Sequence, residues 1–124
     1  MKNIKIGNYY GFFKGCSDKL ILGKVDDYGT FVFFDNYPEP IDYNNIKRIE
    51  VNQLNCESLG WRKNPTSPFS YIIDDKSHLI FNQEKAILVY TEEDNIRLIN
   101  IKYLDELQDM YRLKLNSELP IKRE

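Results

Sequence analysis

Between Phe69 and Ile99, apolar side chains recur at every second position in four successive runs, and nothing in the chain restricts its fold more. Phe69, Tyr71 and Ile73 form the first run. Leu79 with Phe81, Ile87 with Val89, and Ile96 with Leu98 form the next three. A spacing of two puts each set on one face of a strand. The runs are separated by Asp74-Asp75-Lys76-Ser77, Asn82-Gln83-Glu84-Lys85 and Thr91–Asn95, segments rich in turn formers. The spacing therefore predicts a four-strand antiparallel meander over 64–100. Such a sheet has an apolar face to cover. Leu104, Leu107, Tyr111 and Leu115 follow at three- and four-residue steps, the stripe of an amphipathic helix over 101–116. Asn100 is placed as its N-cap, Asp105 and Glu106 suit the first turns, Arg112 and Lys114 suit the last, and Pro120 bars continuation.

The first third also reads as strand. Ile4 and Ile6 alternate, Tyr9–Phe13 is an aromatic run between Gly7 and Gly15, and Leu20–Val25 and Thr30–Phe34 flank Asp26-Asp27-Tyr28-Gly29. Two β-rich runs split by an Asp/Gly cluster predict a hairpin. The sheet is expected to be small and curled, of an SH3-like kind. Pro38 and Pro40 mark a loop. Ile46–Val51 suits a strand, and Asn52–Leu59 suits a short helix ended by Gly60. Pro65 and Pro68 keep the segment after Trp61 extended. The expected fold class is α+β: a curled N-terminal sheet, a β-meander, a short middle helix and a C-terminal amphipathic helix. At 124 residues the chain is expected to be a single domain. Its parts are an N-terminal β part over 1–43, a helix and connector over 44–63, the meander over 64–100 and the helix over 101–116.

The residues that usually carry chemistry are sparse. His78 is the one histidine, at the start of a predicted strand, with no second histidine or cysteine beside it in sequence; a zinc site or a Ser-His-Asp set is not expected. Neither GxxxxGK[ST] nor GxGxxG occurs. Cys16 and Cys56 form no CxxC pair and are expected to be reduced, partly buried thiols. Asp74 followed by Gln83-Glu84-Lys85 faintly resembles the acid and [DEQ]xK of metal-dependent nucleases, but both halves fall in predicted turns, where solvated acids are ordinary. No catalytic residue, metal or cofactor is expected. The N-terminus has no long apolar run and no stretch approaches 18 apolar residues, so neither a signal peptide nor a membrane span is expected, and the cytoplasm is the expected compartment.

Binding is what remains. The net charge of −2 is too balanced for a dedicated DNA binder or a polyanionic DNA mimic. It is segregated, however: 1–25 carries five lysines against one aspartate, and 26–46 carries five acids and no base. A two-faced molecule of this kind can be steered onto a charged partner. Aromatics make up 14%, enough for contact anchors beyond the core. Tyr9, Phe12 and Lys14 interleave aromatic and basic groups, and Trp61, Arg62 and Lys63 combine the residue types of interface hot spots. These six are the candidate binding residues. The competing reading places alternate aromatics of the first run, and Trp61, in the core, because a strand in a small sheet must bury one face.

Four segments carry a resemblance. They are Ile6-Gly7-Asn8-Tyr9, Pro38-Glu39-Pro40-Ile41, Leu59-Gly60-Trp61 and the run from Asn100 through Tyr111. In these the chain resembles a group of small proteins of Bacteroidota phages and integrated elements, over most of its length and most specifically in the last helix. It departs from them in a longer Asp42–Asn55 stretch and an Asn64–Pro68 insert. The resemblance supplies no catalytic residue. It implies a binder of host machinery acting in the infected bacterium. The chain is also similar in size and style to the anti-CRISPR inhibitor of the type VI-B RNA-guided RNase. That implies a host CRISPR effector, with or without its guide RNA, as partner. The alternative is a small RNA- or DNA-binding accessory protein of a mobile element.

Overall fold

The computed structural model describes residues 4–15, 17–83 and 85–122; Cys16 and Glu84 lie outside the described residues. The fold is α+β, with two antiparallel sheets and two helices among the described residues. The chain forms two compact units, Met1–Ile49 and Glu50–Glu124.

In the first unit, β1 (Tyr9–Phe13), β2 (Leu20–Tyr28), β3 (Val32–Phe34) and β4 (Ile46–Lys47) form a four-stranded sheet in the order β3-β2-β1-β4. Aromatic and β-branched residues favour such strands. Tyr10, Phe12, Val25, Val32 and Phe34 pack with Ile4, Ile41 and Ile46 as one core. Phe12 stacks on Phe34 with ring centroids 4.3 Å apart. Gly23 makes room for that stack: a Cβ there would lie 2.7 Å from the Phe12 ring and 2.9 Å from the Phe34 ring. The hairpin turn sits later than the Asp/Gly cluster predicts. β2 runs on through Asp26, Asp27 and Tyr28, a bulge interrupts the register between Val25 and Asp27, and the chain reverses at Gly29–Phe31. The bulge takes up one extra residue in β2, so pairing resumes instead of ending.

In the second unit, β5 (Arg62–Lys63), β6 (Ser70–Ile72), β7 (Ser77–Asn82), β8 (Lys85–Glu92) and β9 (Asn95–Ile101) form a five-stranded sheet in chain order. The expected meander is there, extended by β5, which pairs Arg62 with Ile72. The stretch read as a strand over Ile46–Val51 is strand only at its start. Beyond it, Val51 N–H donates to the Lys102 carbonyl at 2.9 Å, and Glu50 bridges Tyr103. α1 (Gln53–Cys56) is one turn capped by Asn52, whose Oδ1 accepts from Asn55 N–H. Gly60 follows at φ +92°, a conformation that favours glycine.

The last helix, α2 (Leu104–Lys114), starts later than predicted. Asn100 is not its N-cap, because β9 continues to Ile101, whose side chain is buried. The cap is Tyr103, whose N–H donates to Glu106 Oε1 at 2.9 Å. Leu104, Leu107 and Tyr111 are fully buried, as the stripe requires, and Leu113 is exposed. The Tyr111 hydroxyl is hydrogen-bonded to Ser77 Oγ, which joins α2 to β7. Trp61 is buried, and its Nε1–H donates to the Pro120 carbonyl at 2.8 Å. Lys122 N–H donates to the Leu59 carbonyl, and Leu119 is buried, so the segment after α2 folds back onto the turn before β5. No helix among the described residues is long and apolar enough to cross a membrane.

Candidate functional site

Three of the six candidate binding residues are buried and three are exposed. Tyr9, Phe12 and Trp61 are core residues, Phe12 with no exposure at all. β1 is buried along both of its faces and Trp61 is covered, so none of the three presents a ring to a partner. Lys14, Arg62 and Lys63 are exposed. Lys14 Nζ lies 5.6 Å from the centre of the Tyr37 ring. Arg62 and Lys63 form the two-residue edge strand β5 of the second unit.

The first unit exposes different aromatics. Tyr28, Phe31 and Phe33 are 49%, 43% and 42% exposed, all at the end of the β2–β3 hairpin. The cause is local. Val32 and Phe34 point into the core, so period two turns Phe31 and Phe33 outward. The signal was in the sequence, in the alternation within Thr30–Phe34. The hairpin end is pinned in place: Val32 and Ile41 exchange backbone hydrogen bonds of 2.9 and 2.8 Å, and Tyr43 Oη donates to the Gly29 carbonyl at 2.8 Å. Exposed carboxylates flank these rings along the chain. Asp26 and Asp27 lie on β2, and Asp27 is the cross-strand partner of Phe33. Asp35, Glu39 and Asp42 follow, all exposed, and no basic residue occurs within 26–46. The result is a preformed aromatic hairpin in an acidic setting.

The second unit has an apolar outer face. Cross-strand partners share a face, so the register places Ile72, His78, Val89 and Leu98 in one row and Ile80 beside Ile87 in another. α2 packs from the opposite side, with Leu79, Leu88 and Tyr90 in the core. On the outer face Leu98 is 66% and Ile96 74% exposed. His78, the lone histidine, is half-buried among aliphatic side chains there.

Groups suited to bond-breaking chemistry are scattered. Asp74 Oδ1 accepts from Lys76 N–H, Ser77 N–H and Ser77 Oγ, so it is committed to the turn before β7. Gln83 and Lys85 lie past the other end of β7, separated from Asp74 by a six-residue strand, roughly 20 Å. An open cleft of about 880 Å³ runs between Glu50–Leu54 and the β7–β8 turn, floored by Phe81, Ala86 and Ile101. Its Glu106 is occupied in capping α2. Burial first, and the Glu57 carboxylate second, push the Cys56 thiol up to about 12, so it stays neutral at physiological pH. Among the described residues no cluster of three His, Cys, Asp or Glu side chains is placed to hold a metal ion.

Comparison with models of protein families, with curated proteins and with solved structures finds nothing that matches this chain.

Proposed function

We propose that the protein is a stoichiometric inhibitor that docks its β2–β3 hairpin on the basic, nucleic-acid-binding surface of a host defence effector, an RNA-guided nuclease of the CRISPR type. The observation that carries this reading is the grouping of Tyr28, Phe31 and Phe33 with Asp26 and Asp27 at one rigid hairpin end. RNA-guided nucleases hold their guide in a channel lined with basic groups. Carboxylates placed beside exposed rings suit such a channel twice over. They take the lysines and arginines that would bind phosphate, and the rings fill the space that bases would occupy. The hairpin is pinned at Ile41 and Tyr43, so little conformational entropy is lost on docking. The resemblance to small phage proteins read from the sequence favours the same role, and with it the cytoplasm of the infected bacterium as the proposed site of action.

The test is to mix purified protein with candidate effectors and measure binding, guide loading and target cleavage. The expected result is one-to-one binding that weakens with salt and is lost when Phe31 and Phe33 are replaced by alanine. A full set of effectors that neither bind nor lose activity would reject the proposal.

One observation favours direct nucleic-acid binding as a second reading. In the first unit Lys47 Nζ lies 5.5 Å from the centre of the Phe13 ring, and Lys14 lies over Tyr37, pairings suited to stacked bases. A gel shift at low salt that falls with ionic strength supports this reading; its absence removes it.

A further inference from the structure

The second unit carries an interaction surface in addition to the hairpin: the free edge of β9. Among the described residues β9 is the last strand of its sheet and pairs only with β8. The β8–β9 turn is the two-residue segment Glu93-Asp94, closed by Glu92 opposite Asn95. In a hairpin of that length the closing pair exchanges hydrogen bonds, so Arg97, Ile99 and Ile101 also turn their backbone groups toward β8. Ile96, Leu98 and Asn100 then turn theirs to the open side. The Lys102 carbonyl has the same parity, and it does accept from Val51 N–H on that side. The free edge therefore runs from Ile96 to Asn100 and stops where Glu50–Val51 covers it.

Edges are ordinarily protected by lysine, proline or a bulge. β9 has none of these; its one charged residue is Arg97, which lies 3.7 Å from Glu92. On its outer face Ile96 and Leu98 are apolar and exposed, followed by exposed Asn100. The geometry points to a second copy of this chain as the occupant, paired antiparallel through β9 about a twofold axis at Leu98.

That register is self-complementary. Leu98 faces Leu98 of the second copy, and Ile96 faces Asn100 of the second copy, each pair exchanging both its backbone hydrogen bonds. Arg97 falls opposite Ile99 of the second copy and meets no like charge. Sliding the register to set Leu98 against Ile96 would put Arg97 opposite Arg97, a repulsive pair. The apolar outer faces then join across the dyad through Leu98 and Ile96. Such a closed, isologous contact ends in a dimer rather than a filament. The assembly does not depend on the effector reading, since it uses neither the hairpin nor any of its carboxylates.

The experiment is sedimentation equilibrium or light scattering on the full chain across a dilution series. A concentration-dependent dimer is expected. Leu98→Lys, at an exposed position, sets two ammonium groups face to face and should raise the dimer dissociation constant by at least about tenfold. Ile96→Lys should weaken the dimer, and adding Asn100→Asp, which falls opposite it in the second copy, should restore it. A chain that is monomeric at every concentration would overturn the proposal. So would a dimer indifferent to Leu98→Lys, or a charge pair that fails to restore association in a folded protein.

Discussion

Asp27 and Phe33 stand directly opposite each other across the β2–β3 pair, both exposed, one residue past a bulge. The phenyl ring therefore contributes little to the core, while Phe12 and Phe34 form its centre. Phe33→Ala should change stability by less than about 1 kcal/mol. Phe12→Ala should cost about 3–5 kcal/mol, because it empties a filled site with no means of collapse. Urea unfolding separates the two. Effector binding should follow the opposite order, lost in the variant that stays stable.

The hydroxyl of Tyr111 meets Ser77, whose Oγ also meets Asp74 Oδ1. Tyr111→Phe keeps the buried ring and removes one end of this chain. It should cost about 1 kcal/mol, and Ser77→Ala in the same background should then cost less than it does alone. Additive losses in a double-mutant cycle would show that the two groups do not act together.

The β8–β9 turn places two non-glycine residues at positive φ, Glu93 at 51° and Asp94 at 66°. Two-residue hairpins of this shape favour Asn followed by Gly. Glu93→Asn combined with Asp94→Gly should raise stability by about 1 kcal/mol, seen as a higher urea midpoint with an unchanged slope.

Alkaline pH should weaken the second unit. In an unfolded chain the Cys56 thiol ionises near about 8.5, whereas in the folded protein it is pushed up to about 12. Between those values the unfolded state has released a proton that the folded state retains, so rising pH favours unfolding. Stability should fall above about pH 8.5, by at most roughly 1.4 kcal/mol per pH unit. Tyr111, also raised by burial, adds to the decline above the usual tyrosine range. Cys56→Ala should remove the earlier part of the slope and leave the later part, measured by urea unfolding from pH 7 to 10.

Short-range patterning carried most of the architecture. The alternations at Tyr71/Ile73 and Leu79/Phe81 became strands whose apolar set lies on the α2 side of the second sheet, whereas Ile87/Val89 and Ile96/Leu98 became strands whose apolar set turns to the outer face, Ala86, Leu88 and Tyr90 filling the α2 side of β8. Boundaries were read less well where two local preferences competed. Asn100 is a good cap, but Ile101 has a buried place in β9, and packing outweighed capping. The Asp26-Asp27 pair suits a turn, but a bulge kept it in strand. The candidate contact residues were harder to read for a different reason. Aromatic density marks Tyr9–Phe13 and Thr30–Phe34 alike, and which run exposes its rings depends on how many of its faces are covered. β1 is buried along both faces, whereas β3 buries Val32 and Phe34 on one face and leaves Phe33 exposed on the other.

The indole of Trp61 takes its partner from Pro120, 59 residues downstream. The strands described in the first unit are complete by Lys47. During synthesis that unit can therefore reach its native state while the rest is still in the ribosome, since nascent domains fold as their own residues emerge. The second must wait, with Trp61 unsheltered, until Pro120 has left the exit tunnel. A stall or an early stop in that interval would release a chain with a finished acidic hairpin attached to an open, sticky sheet.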